Sequence, residues 1–232
     1  MLKYRGAIFD LDGVITDTAR YHYEAWKRLS DELGIYFDEK INERLKGIGR
    51  LQSLEIILEK SKKQFSMEEK RYFADKKNQY YREMIKSITP KDLLPGIPEL
   101  IRELKERGIK IAVASASRNA FTVLKNLGIS DKFDYIVDAS RIKKGKPHPE
   151  LFLTAAENIG LKPDVCVGIE DSAAGIEAIK RAGMFAIGVG DFEILKKADM
   201  VLKDLRDTEK ILRLFSINVP GGIHTKKVRD SR

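Results

Sequence analysis

GAIFDL, residues 6–11, runs directly into DG at 12–13, and the reading of FDLDGVITDT, residues 9–18, decides how the rest of the chain is organised. A short apolar run that stops at two aspartates and a glycine suits a buried strand ending in a polar loop. The pattern recurs along the chain. IKIAVA at 109–114 ends in SASRN, VCVGI at 165–169 ends in EDS, and FAIGVG at 185–190 and the weaker DMVL at 199–202 follow. Helical patterns lie between them, at 95–108, 120–128, 149–160 and 172–183. Each closes on a glycine, the residue that most readily takes the left-handed conformation past a helix C-terminus. Strands alternating with helices predict right-handed crossovers and a mostly parallel α/β sheet with helices on both faces.

One interval breaks the alternation. From about residue 16 to about 88 the pattern is helical throughout, in YHYEAWKRLSDELG, INERLKG, LQSLEIILEKS and MEEKRYFADKKNQYYREMIKS. A block of this size inserted after the first strand predicts a separate all-helical cap over the sheet edge where α/β proteins bind ligands. The expected organisation is a Rossmann-like core from residues 1–15 and 91–215, a helical cap at 16–90, and a flexible basic tail at 216–232.

Composition bounds the function without choosing it. The chain has 232 residues, a formal net charge of +8 and 43% hydrophobic residues, enough for one large domain or two modest ones. A single cysteine, Cys166, excludes a disulfide-stapled miniature fold. No apolar run approaches a membrane span and the N-terminus turns acidic too soon for a secretion signal, so the expected compartment is the cytosol, with no membrane partner. The positive charge suggests nucleic acid, but +3 of the +8 sits in the tail and no long stretch is strongly polarised.

Asp10 and Asp12 are two residues apart, so strand geometry continued through them would place both carboxylates on one face. Like charges that close repel unless a cation lies between them or one holds a proton. A divalent metal could bind one carboxylate and leave the other as nucleophile or proton carrier. DxD alone also suits a surface loop. The ends of the other strands add matching chemistry. Ser115 and Ser117 fit a phosphate cradle or a helix cap, Lys146 lies in a loop stiffened by Pro147 and Pro149, and Glu170 and Asp171 fit N-caps or metal ligands. All four groups sit at C-terminal ends of parallel strands, where the fold itself would gather them.

These residues resemble the haloacid dehalogenase superfamily of aspartate-nucleophile phosphotransferases. The resemblance spans residues 5–215 and includes all four motifs in order: DLDGV at 10–14, SAS at 115–117, Lys146 in GKP, and Glu170–Asp171 within GIEDSAAGIEAIKRAG. It implies Asp10 as nucleophile forming an aspartyl phosphate, Asp12 as general acid and base, and Ser115, Ala116 and Lys146 holding the transferring phosphoryl group. It implies Mg²⁺ on Asp10, the Asp12 carbonyl and Asp171, with Glu170 nearby, and Thr18 in the hinge between core and cap.

FDLDGVITDTARYHYEAWKRL, LKGIGR, ASASRN and GKPHPELF further resemble the sugar-phosphate mutases of that superfamily. That likeness implies interconversion of β-glucose 1-phosphate and glucose 6-phosphate through β-glucose 1,6-bisphosphate, which also serves as activating intermediate. A sugar-phosphate phosphatase is the alternative, and a basic nucleic-acid module a third that the acidic cleft opposes.

A mutase must grip a second phosphate. Lys46, Gly47 and Arg50 in LKGIGR, Lys77 and Asn78 in DKKNQ, and Ser117, Arg118 and Asn119 on the core side are the candidates, with Arg50 preferred for its bidentate fork. Gly47 and Gly49 would let a phosphate approach the backbone. His22 and Trp26 share a face of the first cap helix; Trp26 reads as core packing, and the resemblance gives His22 a place near Asp12. Arg118 stands where the resemblance leads one to expect lysine, and Gly49 where serine is common. The expected enzyme is a monomer.

Overall fold

The computed structural model describes residues 3–45 and 47–216. Lys46, and the expected tail beyond Ser216 including His224, lie outside the described residues. The chain begins with strand β1 (Gly6–Phe9) and passes through four helices, α1 (Ala19–Leu33), α2 (Glu39–Glu43), α3 (Arg50–Leu58) and α4 (Met67–Met84). It then alternates: α5 (Ile97–Glu106), β2 (Lys110–Val113), α6 (Ala120–Asn126), β3 (Tyr135–Ile136), α7 (Glu150–Asn158), β4 (Cys166–Glu170) and α8 (Ala173–Arg181). The last elements are β5 (Phe185–Val189), α9 (Phe192–Leu195), β6 (Met200–Leu202) and α10 (Thr208–Leu212).

The six strands form one parallel sheet in the order β3-β2-β1-β4-β5-β6. In β1 every residue is buried, and alternation sends Ala7 and Phe9 into one core and Ile8 into the other. One face packs on α5, α6 and α10, the other on α7 and α8. Helices α5, α6, α7 and α8 are followed by Gly108, Gly128, Gly160 and Gly183, all with positive φ, as the glycine spacing anticipates. Strand β3 is the element sequence periodicity does not supply, because two half-buried residues carry no repeat.

Helices α1 to α4 enclose a third apolar cluster of their own, built on Trp26, Leu29, Phe37, Leu54 and Ile57. Burying each such side chain contributes about 1.5–3 kcal/mol, so the inserted cap has an independent source of stability. Its two connections to the core run side by side. Thr16 bridges Leu93, Leu94 N–H donates to the Ile15 carbonyl at 2.9 Å, and the Thr16 hydroxyl donates to the Asp92 carbonyl at 2.8 Å. Among the described residues no helix is long and apolar enough to cross a membrane.

Candidate active site

Strand register brings the acidic motifs to one level. Phe9 pairs with Val113 on one side and Ile169 on the other, so Asp10, Ser115 and Glu170–Asp171 emerge together at the C-terminal edge. Asp10 N–H still donates to the Ile169 carbonyl at 2.9 Å, but the strand stops there. Asp12 lies in a turn, where it bridges Thr16. Asp10 and Asp12 therefore reach the same cavity through a turn rather than through continued pleat. Gly13 makes that turn at φ +80°, and a Cβ there would fall 2.2 Å from Asp171 Oδ2.

Lys146 ties the acids together. Its Nζ lies 2.7 Å from Asp10 Oδ1 and 2.7 Å from Glu170 Oε2, and all three side chains are buried. Glu170 Oε1 accepts from the Asp171 and Ser172 backbone N–H groups and from the Ser172 hydroxyl. Ser172, not either acid, is the N-cap of α8, with its Oγ accepting from Gly175 N–H. Gly175 leaves the room Glu170 occupies, since a Cβ there would lie 2.0 Å from the carboxylate.

The electrostatics follow from this crowding. Burial, opposed by Lys146 and reinforced by Glu170 and Asp12, pushes the Asp10 carboxyl up to about 7. Burial and the neighbouring Glu170 and Asp10 push Asp171 up to about 9. Burial works against the Lys146 charge, yet the two carboxylates outweigh it and raise its pKa above the ordinary range. Asp10, Glu170 and Asp171 carboxylate oxygens lie within 4.8 Å of one another. A set of hard oxygens that cannot all ionise on their own suits a divalent cation such as Mg²⁺.

Asp12 is held from behind. Burial raises its pKa, and the Thr18 hydroxyl donates to Asp12 Oδ1 while accepting from Tyr81 Oη at 3.1 Å. Thr18 is fully buried and does not reach the cavity wall; it positions Asp12 and offers a ligand nothing directly. His22 stacks on Tyr81, with ring centroids 4.1 Å apart, and faces Lys77 Nζ through Nδ1 at 2.8 Å. Burial, Lys77 and Arg50 lower the His22 pKa well below its ordinary value. His22 Nε2 lies 3.9 Å from Asp12 Oδ2, so the ring links Lys77 to the acid.

One cavity of about 730 Å³ collects these groups between core and cap. Asp10, Asp12, Ser115, Ala116, Ser117 and Asp171 line its floor. Cap residues His22, Trp26, Gly47, Arg50, Lys77 and Asn78 line the opposite wall, and Arg118 and Asn119 close a side. Lys146 and Glu170 sit behind the floor, with Lys146 reaching it through Asp10. Asn119 Nδ2 donates to Asn78 Oδ1 at 2.8 Å, a side-chain hydrogen bond from core to cap. Trp26 is both packing and wall: it is buried in the cap core and lies 4.7 Å below Lys77 Nζ.

Gly47 and Gly49 both line the cavity. A Cβ on Gly47 would meet Ser172 Oγ at 2.8 Å, so its missing side chain also lets cap approach core. Gly49 faces open space and precedes α3 as its N-cap. Sequence reasoning also passed over Tyr81, Asp75 and Arg71, which come from the polar helix α4. Their helical spacing to Lys77 and Asn78 was the available signal. Cys166 is buried in β4 and His148 lies outside the cavity lining.

A family model for haloacid dehalogenase-like hydrolases matches residues 4–183. The chain belongs to that family. Among haloacid dehalogenase-like relatives, β-phosphoglucomutase of Bacillus subtilis (strain 168) is 49% identical over 205 residues, covering 88% of this chain and 91% of the relative. A fructose-1-phosphate phosphatase of Escherichia coli (strain K12) is 31% identical over 188 residues, covering 81% and 97%. The crystal structure of β-phosphoglucomutase from Clostridium difficile superposes with a TM-score of 0.89 at 51% identity, over 91% of this chain and 97% of that one. The core and helical cap are thus shared with the β-phosphoglucomutase structure, and the two β-phosphoglucomutases are more similar in sequence to this chain than the fructose-1-phosphate phosphatase is.

Proposed function

We propose that this protein is a β-phosphoglucomutase, interconverting β-D-glucose 1-phosphate and D-glucose 6-phosphate through an aspartyl phosphate and β-glucose 1,6-bisphosphate. One observation carries the proposal beyond phosphoryl transfer in general: basic side chains line the cavity apart from the aspartates, Arg50 and Lys77 on the cap wall and Arg118 at the side. Lys77 is 3% exposed, and its pKa is lowered well below the ordinary lysine value by burial and by Arg50. Basic groups whose charge is opposed by desolvation and by one another suit a dianion placed between them, which would restore that charge.

Asp10 attacks phosphorus, and the sugar oxygen leaves with the proton that Asp12 donates. In the return step Asp12 takes the proton of the attacking sugar hydroxyl, and the phosphoryl group leaves Asp10. The raised pKa of Asp12 suits a group that must hold a proton in one half-reaction and release it in the other. Lys146 and the Ser115 hydroxyl stabilise charge on the transferring oxygens. Asp10, the Asp12 carbonyl and Asp171 would hold Mg²⁺, which neutralises phosphoryl charge when bound. Glu170, saturated by Lys146 and α8, orients Lys146 and the metal ligands. The Asn78–Asn119 bond and the Gly47 contact on Ser172 close the cap against water, which a mutase must exclude.

The proposal takes residues 1–15 and 91–215 as the catalytic core and 16–90 as the cap, in a monomeric cytosolic enzyme. The test is incubation with β-glucose 1-phosphate, Mg²⁺ and a trace of the bisphosphate, with glucose 6-phosphate and inorganic phosphate measured separately. Glucose 6-phosphate as the main product supports the mutase. Dominant release of inorganic phosphate replaces it with a sugar-phosphate phosphatase.

A further inference from the structure

Arg50, the first residue of α3, already has an anionic partner. Its Nη1 lies 3.2 Å from Asp75 Oδ1, on α4. The two side chains are held unequally: Arg50 is 17% exposed and set into the cavity wall, while Asp75 is 72% exposed at its rim. Arg71, one helical turn before Asp75, lines the same rim. Arg118 faces Arg50 from the core closely enough to depress the Arg50 pKa along with burial, and Asp75 opposes that effect. Asp75 is therefore paired with Arg50 in a cavity that Arg71 and Arg118 also line.

We propose that Asp75 is a resident competitor for the distal phosphate, pairing with Arg50 and limiting how tightly a doubly phosphorylated sugar is held. The idea rests on reading this end of the cavity as the second phosphate site. A phosphate seeking both arms of the Arg50 fork must displace the carboxylate from Nη1. It then lies beside a displaced negative charge that remains tethered to α4. Because Asp75 is mostly in water, releasing it costs little, and the pair serves as an exchangeable lid on the cation rather than as a structural brace. An intermediate that must leave, turn end for end and rebind benefits from a grip that is strong but not saturating. Asp75 is thus a specificity-determining residue that acts through Arg50.

Asp75→Asn keeps the shape and removes the charge. Titrating the fluorescence of Trp26, the chain's one tryptophan and a cavity residue, with glucose 6-phosphate in EDTA and without bisphosphate reads binding without turnover. The variant should bind about threefold to tenfold more tightly, the scale of one partly screened charge facing a dianion. KM for β-glucose 1-phosphate should fall in parallel, while KM for p-nitrophenyl phosphate, whose single phosphate must face Asp10, stays the same. Unchanged or weaker binding of glucose 6-phosphate overturns the proposal, as does weaker binding restored by Asp75→Glu, which marks a brace. If wild-type protein yields only inorganic phosphate, the mutase reading fails, yet the fluorescence titration still decides the role of Asp75.

Discussion

Lys146→Met removes one ammonium from between two buried carboxylates and keeps most of the apolar stem. The wild-type Nζ makes two charge-assisted hydrogen bonds of 2.7 Å, to Asp10 and Glu170, and its side chain is 0% exposed. Breaking a buried pair by removing one partner costs about 3–5 kcal/mol, because the charge left behind has no water to replace its partner. Here a proton can substitute for the ammonium, so the cost depends on pH. Lys146 is a cause that lowers the Asp10 pKa in the wild type. Without it the folded variant keeps a proton above the wild-type value of about 7, while an unfolded aspartate is ionised above about 4. The folded state then binds more protons than the unfolded one, and stability falls as pH rises, over a longer interval in the variant. One extra proton held from pH 7 to about 8.5 widens the gap by about 2 kcal/mol. Urea unfolding followed by Trp26 fluorescence in EDTA, at about pH 6 and about pH 8.5, measures both quantities. A loss below about 1 kcal/mol, or an equal loss at the two pH values, refutes the reasoning.

Asp10→Asn should lower mutase turnover on the order of 10⁴-fold or more, as measured by coupled assay of glucose 6-phosphate; substantial residual turnover removes Asp10 as nucleophile. Without substrate, Mg²⁺ should raise the melting temperature more at about pH 8 than at about pH 5.5, because the metal replaces protons that Asp10 and Asp171 hold up to about 7 and about 9. The metal-free fold loses stability as pH rises through that range, and a metal effect independent of pH contradicts the ligand set. Gly175→Ala should destabilise by about 1–3 kcal/mol and reduce activity, although alanine normally favours a helix by about 1 kcal/mol over glycine. Its Cβ would collide with the Glu170 carboxylate, so a stabilised, active variant in thermal unfolding and assay would refute the packing argument. Arg50→Ala should raise KM for β-glucose 1-phosphate at least about tenfold, the loss expected for a charge-assisted phosphate contact, and leave hydrolysis of p-nitrophenyl phosphate nearly unchanged.

The centre of the sheet was legible because β1, β2 and β4 are largely buried and so read as apolar runs, each ending near a chemically distinctive group. The same burial hid strand ends: Leu11 extends the apolar run past Asp10 but has already left the sheet. Two-residue β3 left no periodic trace. In the site, motifs fixed by backbone position were readable, since parallel register places every strand end at one edge. Contacts between distant elements were not. Tyr81 behind Thr18 and Asp75 on Arg50 depend on how the cap helices pack on one another, and Ser172 under Gly47 on how the cap meets the core, which no local pattern in α4 or the glycine loop encodes.

The paired crossings at Thr16 and Leu93 also bear on how the chain finds its fold. In the unfolded chain the closure of β1 on β2 spans the whole cap, which makes that pairing a distant encounter. Once α1 to α4 have condensed on their own apolar cluster, the two ends of the insertion emerge side by side, and the effective loop shrinks to the turn after β1 and helix α5. A cap that covers the cleft in the folded protein is, during assembly, a splint that delivers the second half of the sheet to the first.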